Sequence, residues 1–227
     1  MKNNRTLYSL TSLCALSIAV LCAGCKGNSM ESPSPSPPTT LFSDDFSSSS
    51  LASKWSACTA AGGSVMIGTG NPSPGLDLTD PNGGSGDANQ PCATSLTLFD
   101  ISQGLTISWD ETPGVGSQPS GLSANVTNAC DPSAPLLAGV IFSAPAVSFI
   151  VNGSIINTYK DARLNGGWTH FEVSIAPNGI VSYSVNGLLM EKSLVPVRGS
   201  GSHPLIFRMQ SNCCTDVFVD NVLVTRP

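Results

Sequence analysis

One short segment carries side chains that could bind a sugar. Between residues 168 and 175, Phe171 and Val173 alternate with polar residues, which is the pattern of a strand with one buried face. The side chains on the opposite face are those of Trp168, His170 and Glu172. An aromatic ring packs against the C–H face of a sugar, and an imidazole and a carboxylate hydrogen-bond its hydroxyls. We therefore expect a ligand-binding surface here.

A second segment offers a guanidinium and an amide. Arg208 and Gln210 are out of phase with the apolar Phe207 and Met209, so they should face away from the core. If this strand belongs to the same sheet as the segment at Trp168, the two polar sets converge on one outer surface. The alternative is a plain solvated face, with Trp168 packed at a strand start.

The case for a catalytic site is weaker. Asp110 and Glu111 are the nearest pair of carboxylates, but adjacent strand residues point to opposite faces and cannot act on one sugar ring. A strand end that enters the loop at residues 112–114 explains them better. Two histidines among many serines define no Ser-His-Asp arrangement, and no glycine-rich phosphate loop leads into a helix. We predict no catalytic residue, and enzymatic activity is the second hypothesis.

The N-terminal segment predicts export and a membrane anchor. A basic start precedes an apolar run at residues 13–23, which is too short to span a bilayer and is typical of a signal peptide. Two small residues precede Cys25, as in bacterial lipoprotein signals, although Cys22 stands where leucine is usual. The segment resembles a lipoprotein processing site with Cys25 as the lipid attachment residue; the alternative is an ordinary secretory signal. Lys26 then favours the outer membrane or cell surface, since no aspartate follows Cys25.

Composition divides the chain into three parts. Residues 1–24 form the predicted signal peptide, and residues 25–40 a Ser/Pro-rich spacer, which should be extended because proline lacks an amide donor. Residues 41–227 are expected to form one domain. Without the signal peptide the formal charge falls from −5 to −7, so nucleic acid is an unfavourable partner.

The cysteines favour disulfides over a metal centre. Removal of the signal peptide and lipidation of Cys25 leave five of the eight. An exported chain meets an oxidising environment, so we expect two disulfides among Cys58, Cys92, Cys130, Cys213 and Cys214, whose pairing stays open. A strained bridge between the neighbours Cys213 and Cys214 is one possibility. Zinc is the alternative, although no CxxC pair remains and only His170 and His203 could add imidazole ligands.

Alternating short runs predict an all-β domain. Roughly ten strands are indicated by apolar residues at every second position, separated by Gly, Pro, Asn and Asp. Trp109, Phe171, Val181 and Phe207 fall on the apolar phases. Asn152-Gly153 predicts a type I′ hairpin turn. An antiparallel two-sheet jelly-roll sandwich is the expected architecture.

Three motifs resemble concanavalin A-like lectin/glucanase domains of the laminin-G-like type. LFSDDF at residues 41–46 resembles the first strand of that superfamily, WTHFEV at 168–173 with VNG at 185–187 its central hairpin, and VDNV at 219–222 its last strand. This resemblance implies a jelly roll that binds glycans or mediates adhesion. It also allows a glycoside hydrolase or lyase, but the Glu-x-Asp-x-x-Glu strand of the glucanase branch is absent.

The same resemblance implies a structural calcium near the adjoining first and last strands. Asp45 and Asp220 lie at those strands and offer hard oxygen ligands. A second, weaker candidate is the acidic loop at residues 80–87, which lacks the bidentate glutamate of a calcium loop. The polar surface and the resemblance together make polysaccharide the expected partner. The third hypothesis for the function is a structural surface module that binds another protein.

Overall fold

The computed structural model describes residues 37–59, 63–72, 74–80, 90–114, 116–131, 133–209 and 215–227. These ranges contain fifteen strands, two single-turn 3₁₀-helices (Leu51–Ser53 and Ala162–Asn165) and no α-helix. The strands are β1 Thr39–Asp44, β2 Trp55–Cys58, β3 Ser64–Gly68, β4 Gly75–Asp80, β5 Cys92–Asp100, β6 Leu105–Glu111, β7 Gln118–Ser123, β8 Leu136–Ser143, β9 Ala146–Val151, β10 Ser154–Lys160, β11 Thr169–Ile175, β12 Val181–Val185, β13 Leu188–Lys192, β14 Ser202–Arg208 and β15 Thr215–Arg226.

The strands form two antiparallel sheets that pack face to face. The eight-stranded sheet has the order β13-β12-β11-β6-β15-β4-β3, and β1 pairs with β15 beside that path. The seven-stranded sheet has the order β10-β9-β8-β7-β14-β5-β2. This confirms the predicted all-β, two-sheet antiparallel sandwich. The first and last strands are neighbours, with Thr39 opposite Arg226 and Asp44 opposite Val222.

The core between the sheets consists of the side chains on the predicted apolar phases. Trp109 and Phe171 of the eight-stranded sheet and Phe207 of the seven-stranded sheet are fully buried. The ring centroid of Trp109 lies 5.6 Å from that of Phe171 and 5.7 Å from that of Phe207. The aromatic contact across the sandwich thus holds together strands β6, β11 and β14, which carry candidate functional residues on their outer sides.

Two hairpin turns have the backbone that their sequence predicts. Asn152 and Gly153 have φ of 52° and 76°, and Asn186 and Gly187 have φ of 50° and 77°. Positive φ at both central residues is the requirement of a type I′ turn, which asparagine and glycine meet with the least strain. The turn at Asn152-Gly153 joins β9 to β10 as predicted, and the one at Asn186-Gly187 joins β12 to β13.

Several predictions concern residues outside the described ranges. They are the signal peptide, lipid attachment at Cys25, the spacer up to residue 36, Gln210, the acidic loop beyond Asp80, and the cysteines at 213 and 214. These predictions stand as stated. In the part of the chain that the structure describes, no helix is both long enough and apolar enough to cross a bilayer.

Candidate functional site

A row of polar side chains crosses the outer face of the eight-stranded sheet. Asp110 of β6 lies directly opposite His170 of β11 on one side and Asp220 of β15 on the other. The flanking residues Trp109 and Phe171 point into the core. Because strand side chains alternate between faces, the three polar residues lie on the outer face at the same level of the sheet, where His170 is exposed and Asp220 is buried.

Asp110 is the centre of a hydrogen-bonded group. Its Oδ1 lies 2.6 Å from His170 Nδ1, and its Oδ2 accepts from Asn221 Nδ2 at 2.8 Å and from Asn71 Nδ2 at 3.4 Å. Asn71 belongs to the turn between β3 and β4, which is distant in sequence. We call these five residues (Asn71, Asp110, His170, Asp220 and Asn221) the Asp110 cluster.

Asp220 fixes the backbone around the cluster. Its Oδ2 accepts from the Asn71 backbone N–H at 2.5 Å and its Oδ1 from the Asn221 N–H at 2.7 Å. Burial raises the pKa of Asp220 above its ordinary value, although these two backbone N–H groups act in the opposite direction. The Asn221 side chain also donates to the Asn71 carbonyl at 2.6 Å. The turn at Asn71 is therefore held against β15 by two hydrogen bonds.

The bulge in β15 makes this contact possible. The β6–β15 register shifts between Asp220 and Leu223, and Asn221 has a φ of 52°. Asparagine tolerates this left-handed backbone better than most residues. The extra residue turns the Asn221 amide toward Asp110, as bulges often do near functional sites.

His170 is held from a second direction. Its backbone N–H donates to Asn186 Oδ1 at 2.9 Å, and the Asn186 N–H donates to the His170 carbonyl at 2.8 Å. The imidazole itself is 45% exposed, and the Asp110 side chain 13%. The cluster is therefore ordered by its neighbours yet open to a ligand.

Small hydroxyl groups continue the polar face along the sheet. Ser108, Glu172 and Ser184 lie opposite one another in the next row, followed by Thr106, Ser174 and Ser182. Thr106 Oγ1 and Ser174 Oγ are 3.0 Å apart. The second row borders a shallow cavity of about 290 Å³ that also contacts Lys192. Such a face can donate and accept hydrogen bonds along an extended polar ligand.

Glu111, the residue after Asp110, belongs to the interior and not to this face. It is fully buried, and its Oε2 accepts from Trp109 Nε1 at 2.8 Å and from Ser120 Oγ of β7 at 2.9 Å. Burial raises the pKa of Glu111 to about 8. This agrees with the expectation that Asp110 and Glu111 point to opposite faces.

The structure brings together only part of the predicted ligand-binding set. His170 and Glu172 lie on the outer face of β11, two positions apart. Trp168 is half-buried and precedes the first residue of that strand. Whether these three side chains bind a ligand stays a prediction.

The prediction that Arg208 shares one outer surface with the Trp168 segment is wrong. Arg208 ends β14, which lies in the seven-stranded sheet, whereas β11 lies in the eight-stranded sheet. The outer faces of the two sheets point in opposite directions, so Arg208 cannot join His170 on one surface. Its Nη1 donates instead to the Ala134 carbonyl at 2.7 Å, in the loop between β7 and β8.

The two predicted calcium ligands lie at the adjoining first and last strands. Asp45 follows the end of β1, is exposed, and accepts from Ser47 N at 3.1 Å; hydrogen bonds from Ser47 lower the pKa of Asp45. A calcium ion takes about six to eight oxygen ligands, of which Asp45 and Asp220 supply a part. Within the described ranges, the one set of three His, Cys, Asp or Glu side chains close enough to share a metal ion is Cys58, Cys92 and Cys130.

Sequence reasoning missed most of the Asp110 cluster. Period-two alternation was enough to turn Asp110 outward, but it gave no sign of which strands would lie beside β6. Asn71 and Asn221 carry no local signal, because their role depends on contacts across about 150 residues of chain.

No protein-family model and no curated protein sequence matches this chain. Solved structures do match its fold. A sialidase superposes with a TM-score of 0.57 and 12% identity, over 82% of this chain but only 18% of the sialidase chain. An alginate lyase of polysaccharide lyase family 7 superposes with a TM-score of 0.53 and 10% identity, over 77% of this chain and 94% of the lyase. The potassium-bound carbohydrate recognition domain of Emp46p superposes with a TM-score of 0.51 and 11% identity. The match covers 76% of this chain and 88% of that domain.

Likeness at such low identity establishes the fold alone. Together with the two antiparallel sheets, it shows that this chain has the concanavalin A-like jelly-roll fold that the sequence motifs predict. Folds of this kind serve many functions, so the function must be argued from the site.

Proposed function

We propose that this protein binds polysaccharide on the outer face of the eight-stranded sheet, centred on the Asp110 cluster. The observation that carries the proposal is the pairing of the half-exposed His170 with the mostly buried Asp110, which neighbouring strands and the Asn71 turn hold in place. Carboxylate oxygens accept hydrogen bonds from sugar hydroxyls, and imidazole and amide N–H groups donate to them. The adjacent Ser/Thr rows provide room for further sugar units.

The solved structures with this fold support the ligand class. Those named above are a sialidase, an alginate lyase and a carbohydrate recognition domain. Each name refers to a glycan, and a polysaccharide partner fits both this fold and the hydroxyl-rich rows beside His170.

Binding can be tested with the full chain on a glycan array, followed by affinity measurements on each positive glycan. His170→Ala should weaken binding about tenfold or more, because a hydrogen bond that involves a charged group contributes about 1.5–3 kcal/mol. Thr158→Ala is the matched control: Thr158 is also exposed and hydrogen-bonds Ser148, but on the seven-stranded sheet. Equal affinity of the two variants, or no glycan bound at all, would contradict the proposal; a co-purifying protein would then favour the structural module.

The predicted contribution of Trp168 is tested in the same assay. Trp168→Ala should reduce affinity without changing the circular dichroism spectrum, because Trp168 is half-buried and precedes the first residue of β11. Unchanged affinity would remove Trp168 from the site while leaving the Asp110 cluster in place.

Glycan cleavage is the second candidate function. The specific observation is again the His170–Asp110 pair, since a carboxylate that orients an imidazole is a recurring arrangement in general acid–base catalysis. New reducing ends or unsaturated products from a bound polysaccharide, lost in His170→Ala, would establish an enzyme. Binding without products would leave the protein a lectin.

Calcium at Asp45 and Asp220 is a separate proposal. It is supported by the positions of Asp45 and Asp220 at the adjoining first and last strands, and by the potassium-bound state of one structural neighbour. Glycan binding and thermal unfolding should be measured with calcium and with EDTA. A melting temperature that does not respond to calcium would argue against this site.

We also propose that Cys25 carries a lipid that anchors the protein in the bacterial cell envelope, at the outer membrane or cell surface. The support comes from the sequence: a basic start, a short apolar run and two small residues before Cys25. Cys25→Ser should move the protein from the membrane to the soluble fraction. Continued membrane association of this variant would refute lipidation at Cys25.

A further inference from the structure

Three cysteines meet on the outer face of the seven-stranded sheet, away from the Asp110 cluster. Cys58 at the end of β2 lies directly opposite Cys92 at the start of β5. Cys130 reaches them from the loop between β7 and β8. The three Sγ atoms all lie within 4.8 Å of one another.

The geometry permits two disulfides that exclude each other. Cys130 lies within disulfide reach of both Cys58 and Cys92, with Cα separations of 5.8 and 6.6 Å. Both separations fall in the usual disulfide range of about 4.4–6.8 Å. Since one sulfur forms one disulfide, each pairing leaves the third cysteine of the trio with a thiol beside that disulfide.

We propose that Cys58, Cys92 and Cys130 form a thiol–disulfide exchange site in which Cys130 alternates between two partners. The Cys58 thiolate attacks Cys130 Sγ of the Cys92–Cys130 disulfide. The Cys58–Cys130 bond forms, the Cys92–Cys130 bond breaks, and the bonding electron pair leaves on Cys92 Sγ, which takes up the proton that Cys58 lost. No external oxidant or reductant is consumed, because exchange conserves the number of disulfides.

The loop that carries Cys130 is held in place whichever partner is bonded. The Ala124 N–H donates to the Pro135 carbonyl at 2.8 Å, and Arg208 Nη1 donates to the Ala134 carbonyl at 2.7 Å. Leu136, Ile150 and Ile206 pack beneath it in an apolar cluster that includes Cys92. Exchange therefore needs a movement of one side chain between adjacent strands and leaves the fold unchanged.

A difference in exposure makes the exchange measurable. Cys92 is fully buried, whereas Cys58 and Cys130 are partly exposed. An alkylating reagent should therefore react with a free Cys58 thiol much faster than with a free Cys92 thiol. An alkylated Cys58 can no longer form a disulfide. Molecules with the Cys92–Cys130 disulfide and an alkylated Cys58 should therefore accumulate with time.

The experiment uses the full chain, purified without reductant, with each cysteine followed by peptide mass mapping. Immediate acid quenching should reveal both pairings. During incubation with iodoacetamide at about pH 8, near the usual thiol pKa, labelling of Cys58 should rise from its initial fraction to near completion. In Cys92→Ser the sole pairing is Cys58–Cys130, and Cys58 should stay unlabelled.

Three results would overturn the proposal. The first is a single pairing in the quenched sample. The second is a plateau of Cys58 labelling at its initial fraction, which indicates a fixed mixture of disulfides. The third is a disulfide from Cys58, Cys92 or Cys130 to Cys213 or Cys214, which would leave no thiol in the trio. Cys214→Ser serves as the control outside the trio and should leave the Cys58 time course unchanged.

Discussion

Asp110 and Glu111 are consecutive residues of β6 with opposite surroundings: one faces solvent in a hydrogen-bonded cluster, and the other lies between the sheets. The side chain of Glu111 links the two sheets through Ser120 of β7. It remains uncharged in the folded protein over most of the physiological pH range, because burial raises its pKa to about 8.

Glu111 should make the fold less stable as the pH rises. Between its ordinary pKa of 4.5 and about 8, the unfolded chain releases a proton that the folded chain keeps. The free energy of unfolding should therefore fall with pH, by up to about 1.4 kcal/mol per unit. Urea unfolding of Glu111→Gln should show a flatter pH dependence over this range. Glu172→Gln, on the outer face of β11, is the control and should keep the slope of the unmodified chain; equal slopes in all three proteins would contradict the prediction.

Asp44 and Asp45 offer a second comparison between neighbours. Asp44 is buried and accepts from Trp55 Nε1 at 2.6 Å, from the Phe46 N–H at 3.0 Å and from Lys54 Nζ at 3.1 Å. Asp44→Ala should lower the free energy of unfolding by roughly 1–3 kcal/mol, since it leaves the buried indole N–H unpaired. With EDTA present, so that no calcium is bound, Asp45→Ala removes an exposed carboxylate and should leave the denaturation midpoint almost unchanged. Similar midpoints for the two variants would refute a structural role of Asp44.

For single residues, the sequence predicted which way each side chain faces but not which residue it contacts. Alternation placed Phe171 in the core and His170 outside it. The bond from His170 to Asp110 required knowledge that β11 and β6 are neighbours, which no local pattern provides.

The strands differ in how readily they can be predicted from the sequence. The structure has fifteen strands where the sequence indicates roughly ten: β2, β4 and β7 were missed, and β10 and β13 are implied only by the Asn-Gly turns that precede them. Strands β2, β10 and β13 are the outermost of their sheets and therefore bury less apolar surface. Strand β7 is buried but contains Pro119 and Gly121, which resemble a loop composition. Alternation also could not assign β14 to a sheet, which is why the placement of Arg208 was wrong.

The hairpin between β12 and β13 provides a test of an element. Gly187 has a φ of 77°, while Gly166 has an extended backbone with a φ of −165°, and an added Cβ would meet nothing within 4 Å at either position. Gly187→Ala should therefore lower the free energy of unfolding by about 1 kcal/mol relative to Gly166→Ala, because a left-handed backbone strains alanine. Equal denaturation midpoints of the two variants would show that the turn relaxes to another conformation.

For the whole molecule, the pairing of β1 with β15 closes the chain into one sandwich. The resemblance to concanavalin A-like domains predicted that the ends of the domain adjoin, and the register of Thr39 with Arg226 confirms it. Global topology was thus accessible from weak motifs in the correct order, whereas the functional face depended on which strands became neighbours.

The adjoining ends predict that a circular permutant will fold. A short linker from Pro227 to Thr39, with new ends between the exposed Gly166 and Gly167, preserves every strand and every pairing. Its circular dichroism spectrum should match that of the unpermuted chain. A permutant opened between Ile107 and Ser108 interrupts β6, a central strand, and is the control expected to fail. Folding of both, or of neither, would contradict the importance of these pairings.

The same pairing determines which side of the molecule is accessible when it is held by an end. Both ends leave the sheet near Arg226, whereas Asp220 lies six residues earlier on β15, or roughly 20 Å away at about 3.3 Å per residue. A sensor surface or a carrier protein attached directly at Thr39 or Pro227 would therefore contact the sandwich at one end. The imidazole of His170 would then point toward the surrounding medium, where long polymers can reach it without steric obstruction.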